Sequence, residues 1–385
     1  MLDLGFRRTV FRDEHEAFRE QVRRFIAAEI APHHADWEAA KQVPREIWKK
    51  AGELGMLCCN VPEVYGGVGG DWLYNAVVLE ELSWAHVPGP GFPVHSEMAT
   101  PYLTSFASEE LKRKWLPRLA AGEAIAGIAM TEPGSGSDLR AIRTRARRTQ
   151  SGYAISGQKV FITNGYYADV LVVATKIEGT ERISLILMET DRPGFNRGRK
   201  LEKIGNPARD TAELFFDEVE VPTSNLIGEE GAGFRYLMHG LARERLSVCV
   251  TSQARAEASF RDTVAYVTDR NVFGKPLSEY QNTRFSLAAV KTELAVGRAF
   301  VDRLIAAYMA GELDGATAAM GKLWISEMFG RTVDACLQLH GGWGYMREFP
   351  IARAYMDARV DRIAGGASEI MKEIVARTLF DDSRN

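Results

Sequence analysis

The segment MTEPGSGSD, residues 130–138, marks the point at which the sequence changes its structural period. Before it, apolar residues recur at the three- and four-residue steps of helices; after it, they fall in short β-branched and aromatic runs. Its proline and two glycines favour a tight turn whose N–H groups and hydroxyls can bind a carbonyl or a phosphate. Taken alone, it is more simply a tight surface loop. It is not a Rossmann fingerprint, because no GxGxxG follows a strand and opens a helix here.

The residues before this segment predict an N-terminal helical domain over 1–125. Asp13 is a good N-cap, and apolar residues at helical spacing follow it. Further helices are predicted over 44–55 and 72–85, and the segment VPGPGFP at 87–93 cannot continue a helix. The apolar residues of the first helix are Phe18, Val22, Phe25, Ile26 and Ile30.

The residues after the segment predict a middle β-barrel-like domain over 126–230. Short runs rich in β-branched and aromatic residues alternate there with Gly, Asn, Asp and Pro. The runs are 152–165, 169–177, 183–190 and 211–222. Arg143, Arg145 and Arg147 alternate, as on one face of a strand. They read most simply as a solvated face, with CoA phosphates or an acidic redox partner as the alternative.

Helical periodicity returns at residue 231 and persists, which predicts a C-terminal four-helix bundle over 231–385. Between 285 and 310 the apolar stripe is broad enough for a helix with two apolar faces. Such a helix belongs in a bundle or at a subunit interface. The predicted fold class is therefore α+β, mainly α, in the order helical, β, helical.

The composition excludes several classes of protein. The chain has 385 residues, 46% hydrophobic, with a formal net charge of −3, so no electrostatic footprint for nucleic acid is present. No apolar run approaches the length of a membrane span, and the charged N-terminus predicts no secretory leader. Four cysteines without a CxxC indicate reduced thiols in a cytoplasm. Seven histidines without an HExxH indicate no metal site.

Two further segments gain meaning only beside the first. QLHGGWGYMREFPIARAYMDAR, residues 338–359, reads alone as a helix break followed by an amphipathic helix. RNVFGKPLSEYQ, residues 270–281, reads alone as a helix end. With AMTEPGSGSD at 129–138, however, they resemble the acyl-CoA dehydrogenase family in order and spacing. The resemblance covers nearly the whole chain, and HGGWGYM, DTAELFF and GGASEIMKE are most similar to the long-chain acyl-CoA dehydrogenases.

The resemblance implies that FAD binds between the β domain and the C-terminal bundle. The segment 130–137 would lie along the isoalloxazine ring, with Thr131 near N5 and O4. Phe161, standing where many relatives have Trp, would cover the other side of the ring with Ile162 and Thr163. Other positions would hold the pyrophosphate and adenosine, partly from a neighbouring subunit. The remaining implied FAD contacts are Met130, Gly136, Ser137, Arg270, Phe273, Gln281, Gln338, Leu339, Gly341, Gly342 and Glu369.

The family reaction removes the α-proton of a thioester while the β-hydrogen leaves as hydride to flavin N5. Most members carry the required carboxylate at the position of Gly365, which has no side chain here. Long-chain and isovaleryl-type members carry it on a helix directly before an arginine, which matches Glu244 before Arg245. Without the resemblance, the charged run 243–245 reads as a solvated cluster. Gly365 can still donate its backbone N–H to the thioester oxygen as enolate charge develops.

The resemblance also assigns substrate contacts, namely Ser137, Arg245, Ala364 and Gly366. Ala364 replaces an aromatic residue common in medium-chain relatives and should widen the cavity beside the thioester. The small residues of 87–93 are consistent with a long or branched acyl chain, with plain helix termination as the alternative. Ala367 and Glu369 depart from the usual Thr and Gln of relatives.

We therefore expect FAD-dependent oxidation of a saturated acyl-CoA, medium-to-long or branched, to trans-2-enoyl-CoA. Electrons would pass to an electron-transferring flavoprotein, and the resemblance implies a homotetramer. The first alternative is an isovaleryl-type short branched-chain enzyme. A non-catalytic flavin- or CoA-binding homologue and an oxidase that uses O₂ directly are further alternatives.

Overall fold

The computed structural model describes residues 3–380, and its first part is helical. The helices are α1 (Asp13–Phe25), α2 (His34–Ala40), α3 (Arg45–Glu53), α4 (Trp72–Trp84), α5 (Thr100–Phe106) and α6 (Glu109–Ala120). Arg12, rather than the predicted Asp13, is the N-cap of α1, and Asp13 opens the first turn. A π-helical turn over Ile26–Ile30 continues α1, and another over Val94–Ala99 leads into α5.

Helix α4 is buried on every side, because it belongs to two hydrophobic cores. Asp71 caps its start by accepting a hydrogen bond from the N–H of Leu73 at 3.0 Å. Val77 and Val78 pack with the other N-terminal helices and one face of the sheet. Trp72 and Leu73 pack instead into the C-terminal bundle. The helix therefore joins the N-terminal helices to the bundle.

The middle of the chain forms one mixed sheet. Its strands are β1 (Ala126–Ala129), β2 (Arg145–Arg148), β3 (Gly152–Thr163), β4 (Val170–Ile177), β5 (Ile183–Glu189), β6 (Phe195–Lys200), β7 (Thr211–Pro222) and β8 (Leu226–Ile227). The strand order is β6-β7-β3-β2-β4-β5-β8. Strands β1 and β2 share one edge of β4, and both pair with it in parallel. The four predicted runs all became strands, whereas β1, β6 and β8 were not predicted.

Both faces of the sheet are covered, as the alternation along β4 shows. Val170, Val172 and Ala174 pack toward the N-terminal helices. Leu171 and Val173 point to the opposite face, where they pack with residues of β3 and β7. The sheet is thus held against the helices that precede it.

The C-terminal part is a helical bundle around α7 (Gly233–Asp269), with α8 (Gln281–Met309), α9 (Gly315–His340), α10 (Pro350–Asp361) and α11 (Ser368–Thr378). A short hairpin of β9 (Asn271–Val272) and β10 (Lys275–Pro276) separates α7 from α8. Leu294 and Val301 of α8 are buried, whereas Phe285 and Val296 of the same helix are exposed. Helix α8 therefore has one covered and one uncovered apolar face within a single chain. No helix among residues 3–380 combines the length and apolarity needed to cross a bilayer.

The segment 87–93 corrects one sequence-based interpretation. Its glycines do not enlarge a cavity, because they let the loop pack closely against neighbouring parts of the chain. A side chain at Gly91 would meet Asn164 Oδ1 at 1.8 Å, and one at Gly89 would meet His34 Nε2 at 2.8 Å. Asn164 also donates to the carbonyl of Gly91 at 3.1 Å. The segment therefore gives no support for a long or branched acyl chain.

Candidate active site

Glu244 lies in the interior of the protein, in the first half of the long helix α7. Only 3% of its surface is exposed, and Arg243 and Arg245 beside it are also buried. The interpretation of these three residues as a solvated cluster is therefore wrong. The phenol of Tyr102, from α5, donates a hydrogen bond of 2.8 Å to Glu244 Oε1.

Burial raises the pKa of Glu244 to about 7. The hydrogen bond from Tyr102 and the positive charges of Arg245 and Arg243 act in the opposite direction but do not cancel it. Arg243 is turned toward Glu97, which accepts from its Nε at 3.0 Å. A carboxyl group with a pKa near 7 can exchange a proton at neutral pH, which suits a general base.

The glycine turn at 365–366 faces the same stretch of α7. Both glycines have positive φ, +68° at Gly365 and +106° at Gly366, a region that residues with a side chain rarely adopt. A Cβ at Gly365 would lie 3.7 Å from Cγ2 of Val248, which is one helical turn after Glu244. The position that lacks a carboxylate thus lies beside the helix that carries one.

Two features leave this turn ready to bind a ligand. The N–H groups of Gly365 and Gly366 make no hydrogen bond within residues 3–380. On the other side of the turn, the buried ammonium of Lys322 donates to the carbonyl of Gly366 at 2.5 Å. Lys322 therefore fixes the peptide that follows Gly366, at the end of the glycine turn, while the N–H of Gly365 stays available to a ligand.

The loop 130–138 is held from below by a buried ion pair. Lys159 Nζ contacts Glu132 Oε1 at 2.8 Å and donates to the carbonyl of Met130 at 2.9 Å. Glu132 in turn accepts from the backbone N–H groups of Arg143 and Thr144. The hydroxyl of Thr131 is without a hydrogen-bond partner in the described part of the chain. The loop is thus held in place through Glu132 and Met130, while Thr131 presents a polar group to a ligand.

Phe161 is turned outward by an irregularity in β3. The pairing of β3 with β7 shifts register between Lys159 and Ile162, and Phe161 has a φ of +62°. Bulges of this kind re-aim side chains, often next to active sites. The Phe161 side chain is 66% exposed while Ile162 is buried and Thr163 partly buried. An open aromatic face therefore lies on the strand that also carries Lys159.

Several predicted FAD contacts lie far from this region within one chain. Arg270 is 26 residues after Glu244, or about 39 Å along a helix. Phe273 is 100% exposed at the tip of the β9–β10 hairpin. Gln281 starts α8, and the 338–342 segment spans the end of α9 and the start of the 3-10 turn after it. The structure brings none of these to Glu244, so a role at the same flavin would require a second subunit.

The predicted substrate contacts lie on three different parts of the chain: α7, the glycine turn and the loop 130–138. Arg245 Nη1 donates to the carbonyl of Gly315 at 3.2 Å, but its Nε is buried without a partner in the described chain. Ala364 is exposed beside the glycine turn, and Ser137 is exposed in the loop 130–138. Gly136 is also exposed in that loop, and Glu369 is exposed in the first turn of α11.

Three of the arginines that follow the loop 130–138 form ion pairs with glutamates of the same domain. Arg145, Arg147 and Arg148 form ion pairs with Glu181, Glu218 and Glu230, respectively. These groups are largely exposed, so the pairs stabilise the fold weakly. This arrangement favours the interpretation as a solvated face.

Sequence reasoning missed three residues of the site. Tyr102, Lys322 and Lys159 carried no motif, and each acts on a residue far away in sequence. Lys159 left one signal, since it directly precedes the apolar run 160–162 of a predicted strand, and a lysine that is buried there needs a partner. Nothing in the sequence pointed to Tyr102, which lies 142 residues from Glu244.

The three-part fold, with a carboxylate on α7 facing a glycine turn, defines a class of oxidoreductase. Models of the acyl-CoA dehydrogenase N-terminal, middle and C-terminal domains match residues 12–123, 127–219 and 231–380. The chain belongs to the acyl-CoA dehydrogenase family.

Within this family, the chain is similar to several named members. The chain is 47% identical over 387 residues to the mitochondrial long-chain specific acyl-CoA dehydrogenase of Sus scrofa, covering 99% of this chain and 90% of that protein. It is 35% identical to the mitochondrial isovaleryl-CoA dehydrogenase of Oryza sativa subsp. japonica, with 97% and 93% covered. The crystal structure of an acyl-CoA dehydrogenase from Geobacillus kaustophilus superposes with a TM-score of 0.94 at 48% identity, covering 97% of this chain and 100% of that one.

A further solved structure was determined with a flavin present. It is a glutaryl-CoA dehydrogenase from Mycobacterium smegmatis in complex with FADH2, with a TM-score of 0.91 and 30% identity. It covers 97% of this chain and 96% of that one. The resemblance read from the sequence, including the likeness to long-chain enzymes, is confirmed.

Proposed function

We propose that this protein is an FAD-dependent acyl-CoA dehydrogenase that converts a saturated acyl-CoA to the trans-2-enoyl-CoA, with Glu244 as the base. One observation carries the proposal: a buried carboxyl group on α7, with a pKa raised to about 7, beside a turn whose usual carboxylate is missing. Family membership supports the dehydrogenation itself, and the geometry supports the choice of base.

The residues present suit a bound flavin. The open face of Phe161 can stack on a planar, polar ring. The hydroxyl of Thr131, which has no partner within the described residues, can form a hydrogen bond to that ring. FAD, when bound, accepts the β-hydrogen of the substrate as a hydride. Lys159 keeps the loop of Thr131 in place through its contacts with Glu132 and the carbonyl of Met130.

The residues of the chain perform the proton transfer. Glu244 takes the α-proton, and its burial makes it a stronger base than a solvated carboxylate. The N–H of Gly365, which has no partner among residues 3–380, donates to the thioester oxygen, on which negative charge develops as the α-proton leaves. The Nε of Arg245, which is unpartnered in the part of the chain that the structure describes, is available to a polar group of the CoA portion.

The length and branching of the acyl chain form a separate part of the proposal. We favour a medium-to-long or branched acyl chain because identity to the long-chain enzyme, 47%, exceeds that to the isovaleryl enzyme, 35%. An isovaleryl-type activity is the second candidate. We also propose an electron-transferring flavoprotein as the acceptor, a homotetramer and a cytoplasmic location; the relatives named above include mitochondrial proteins.

The test is anaerobic mixing of the FAD-loaded protein with acyl-CoAs from C4 to C18, including isovaleryl-CoA. Flavin bleaching by a C8–C18 subset is expected, and a response to isovaleryl-CoA alone would replace this substrate assignment. Glu244→Gln should lower the bleaching rate by about 10²–10⁴-fold or more while FAD stays bound.

A matched control is Glu230→Gln. Glu230 also accepts a hydrogen bond from a phenol, that of Tyr153 at 3.3 Å, but it lies in the β domain. The flavin of the Glu230→Gln variant should bleach at the same rate as that of the wild type. Near-native turnover of Glu244→Gln would refute the assignment of the base. Peroxide formed in air without an added acceptor would favour the oxidase alternative.

A further inference from the structure

Tyr102 occupies a notch in α7 that a glycine creates. Its side chain is 2% exposed, and a Cβ at Gly240 would lie 2.4 Å from the phenol oxygen. Gly240 is one helical turn before Glu244, so the phenol reaches the carboxylate by passing over the glycine. Any side chain at 240 would push the phenol away.

The phenol makes the two oxygens of the Glu244 carboxylate inequivalent, because it donates a hydrogen bond to only one of them. Oε1 accepts from Tyr102 at 2.8 Å. Oε2 makes no hydrogen bond within residues 3–380. One oxygen is therefore anchored, and the other is free to receive a proton.

We propose that Tyr102 is a positioning residue for the base: its phenol holds Glu244 Oε1 so that Oε2 faces the substrate as an ionised acceptor. This inference rests on the proposed function and adds a residue to it. In the transfer, the C–H bond at the α-carbon breaks, its proton moves to Oε2, and the electron pair stays on the thioester. Tyr102 keeps its own proton throughout.

The other charged groups around Glu244 are directed elsewhere. On α7 itself, Arg243 binds Glu97 of the π-helical turn, and Arg245 donates to the carbonyl of Gly315. From α9, Lys322 donates to the carbonyl of Gly366. Within the described residues, Tyr102 alone donates a hydrogen bond to the carboxylate.

The phenol keeps the base usable at neutral pH. Burial favours the protonated acid, which cannot accept another proton, whereas a donated hydrogen bond favours the carboxylate. Without the phenol, Glu244 would stay protonated to a higher pH. The hydrogen bond thus reduces the basicity of Glu244 slightly and increases the fraction that is ionised.

Tyr102→Phe tests this role, because it removes one oxygen and leaves the ring. The acid limb of the flavin-reduction rate should move up by about one pH unit. The rate should fall about tenfold at pH 6 and less than threefold at pH 9. A purely structural role predicts instead an equal loss at every pH, and that result, or an unmoved acid limb, overturns the proposal.

Two variants serve as comparison. Tyr153→Phe removes the phenol of the Tyr153–Glu230 pair in the β domain and should leave the pH profile unchanged. Gly240→Ala should displace the phenol of Tyr102 and shift the acid limb in the same direction as Tyr102→Phe. It therefore tests the same contact if Tyr102→Phe does not fold.

A second readout separates this inference from the proposed function. Infrared spectroscopy of the FAD-loaded protein without substrate should show a protonated carboxylic acid band that is lost in Glu244→Gln. Its titration midpoint should rise by about one pH unit in Tyr102→Phe. If no acyl-CoA bleaches the wild-type flavin, the proposed function fails, yet the shifted midpoint still decides the role of Tyr102. An unshifted midpoint overturns it.

Discussion

Replacing Glu244 by Gln should stabilise the fold at alkaline pH while it disables the proposed base. Glu244 is buried, and its pKa rises from the ordinary value of 4.5 to about 7 on folding. Because the folded chain holds this proton more tightly than the unfolded chain, the favourable contribution is complete below about pH 4.5. It is lost as the pH rises through about 7, where the buried group must ionise.

The size of the effect follows from the two pKa values. Their difference, 7 − 4.5, is about 2.5 and corresponds to about 3 kcal/mol. For a chain of 385 residues, the entropy of unfolding is on the order of 0.8 kcal/mol per kelvin. The full penalty is therefore about 4 °C in Tm, of which about 3 °C should appear between pH 5 and pH 8.5.

The assay compares Tm of the FAD-loaded wild type and Glu244→Gln by calorimetry at pH 5 and pH 8.5. The variant should gain about 3 °C over the wild type between the two pH values. The amide oxygen of Gln can still accept from Tyr102, so the packing is preserved. Glu20→Gln, on the exposed side of α1, is the control and should differ from the wild type equally at both pH values. A Tm difference for Glu244→Gln that is independent of pH would refute the reasoning.

Other changes should have distinct signatures. Lys159→Met leaves Glu132 as a buried, unpaired carboxylate and should cost about 3–5 kcal/mol, seen as a lower Tm and weaker FAD retention; unchanged retention would contradict the role given to this pair. In Gly365→Ala the added methyl makes only an ordinary contact with Val248, 3.7 Å away, but the residue keeps a φ of +68°, so chemical denaturation should show a loss of about 1–2 kcal/mol. Lys322→Met removes the hydrogen bond to the carbonyl of Gly366 and should slow flavin reduction by the same factor at every pH. A shifted acid limb would contradict the role of Lys322 in holding the glycine turn.

The fold followed from local periodicity where elements are long. The helices at 13–25 and 45–53 place their apolar residues on one face at a period of 3.6, and the strand at 211–222 alternates buried and open positions. The short strand at 126–129 was missed, because four residues of small apolar side chains carry no measurable period. Its identity as a strand comes from pairing with β4, a contact between distant parts of the chain.

The site was predictable only where residue identity carried the information. The missing side chain at Gly365 and the presence of Glu244 could be read directly from the sequence. The burial of Glu244 could not, because a charged triplet on a helix looks the same whether solvent or protein surrounds it. The same limitation explains the segment 87–93, whose glycines indicate close approach but not which neighbour approaches.

The membership of α4 in two cores has a consequence for biosynthesis. Its Trp72 and Leu73 belong to a core whose next buried apolar residue after α4, Leu246, comes 174 residues after Trp72 in the chain. As the nascent polypeptide leaves the ribosome, the first helices cannot complete their packing and must hold apolar surface exposed for many seconds of elongation. A fragment ending near residue 125 should accordingly aggregate when expressed by itself, and the full-length chain should benefit from a holding chaperone during synthesis.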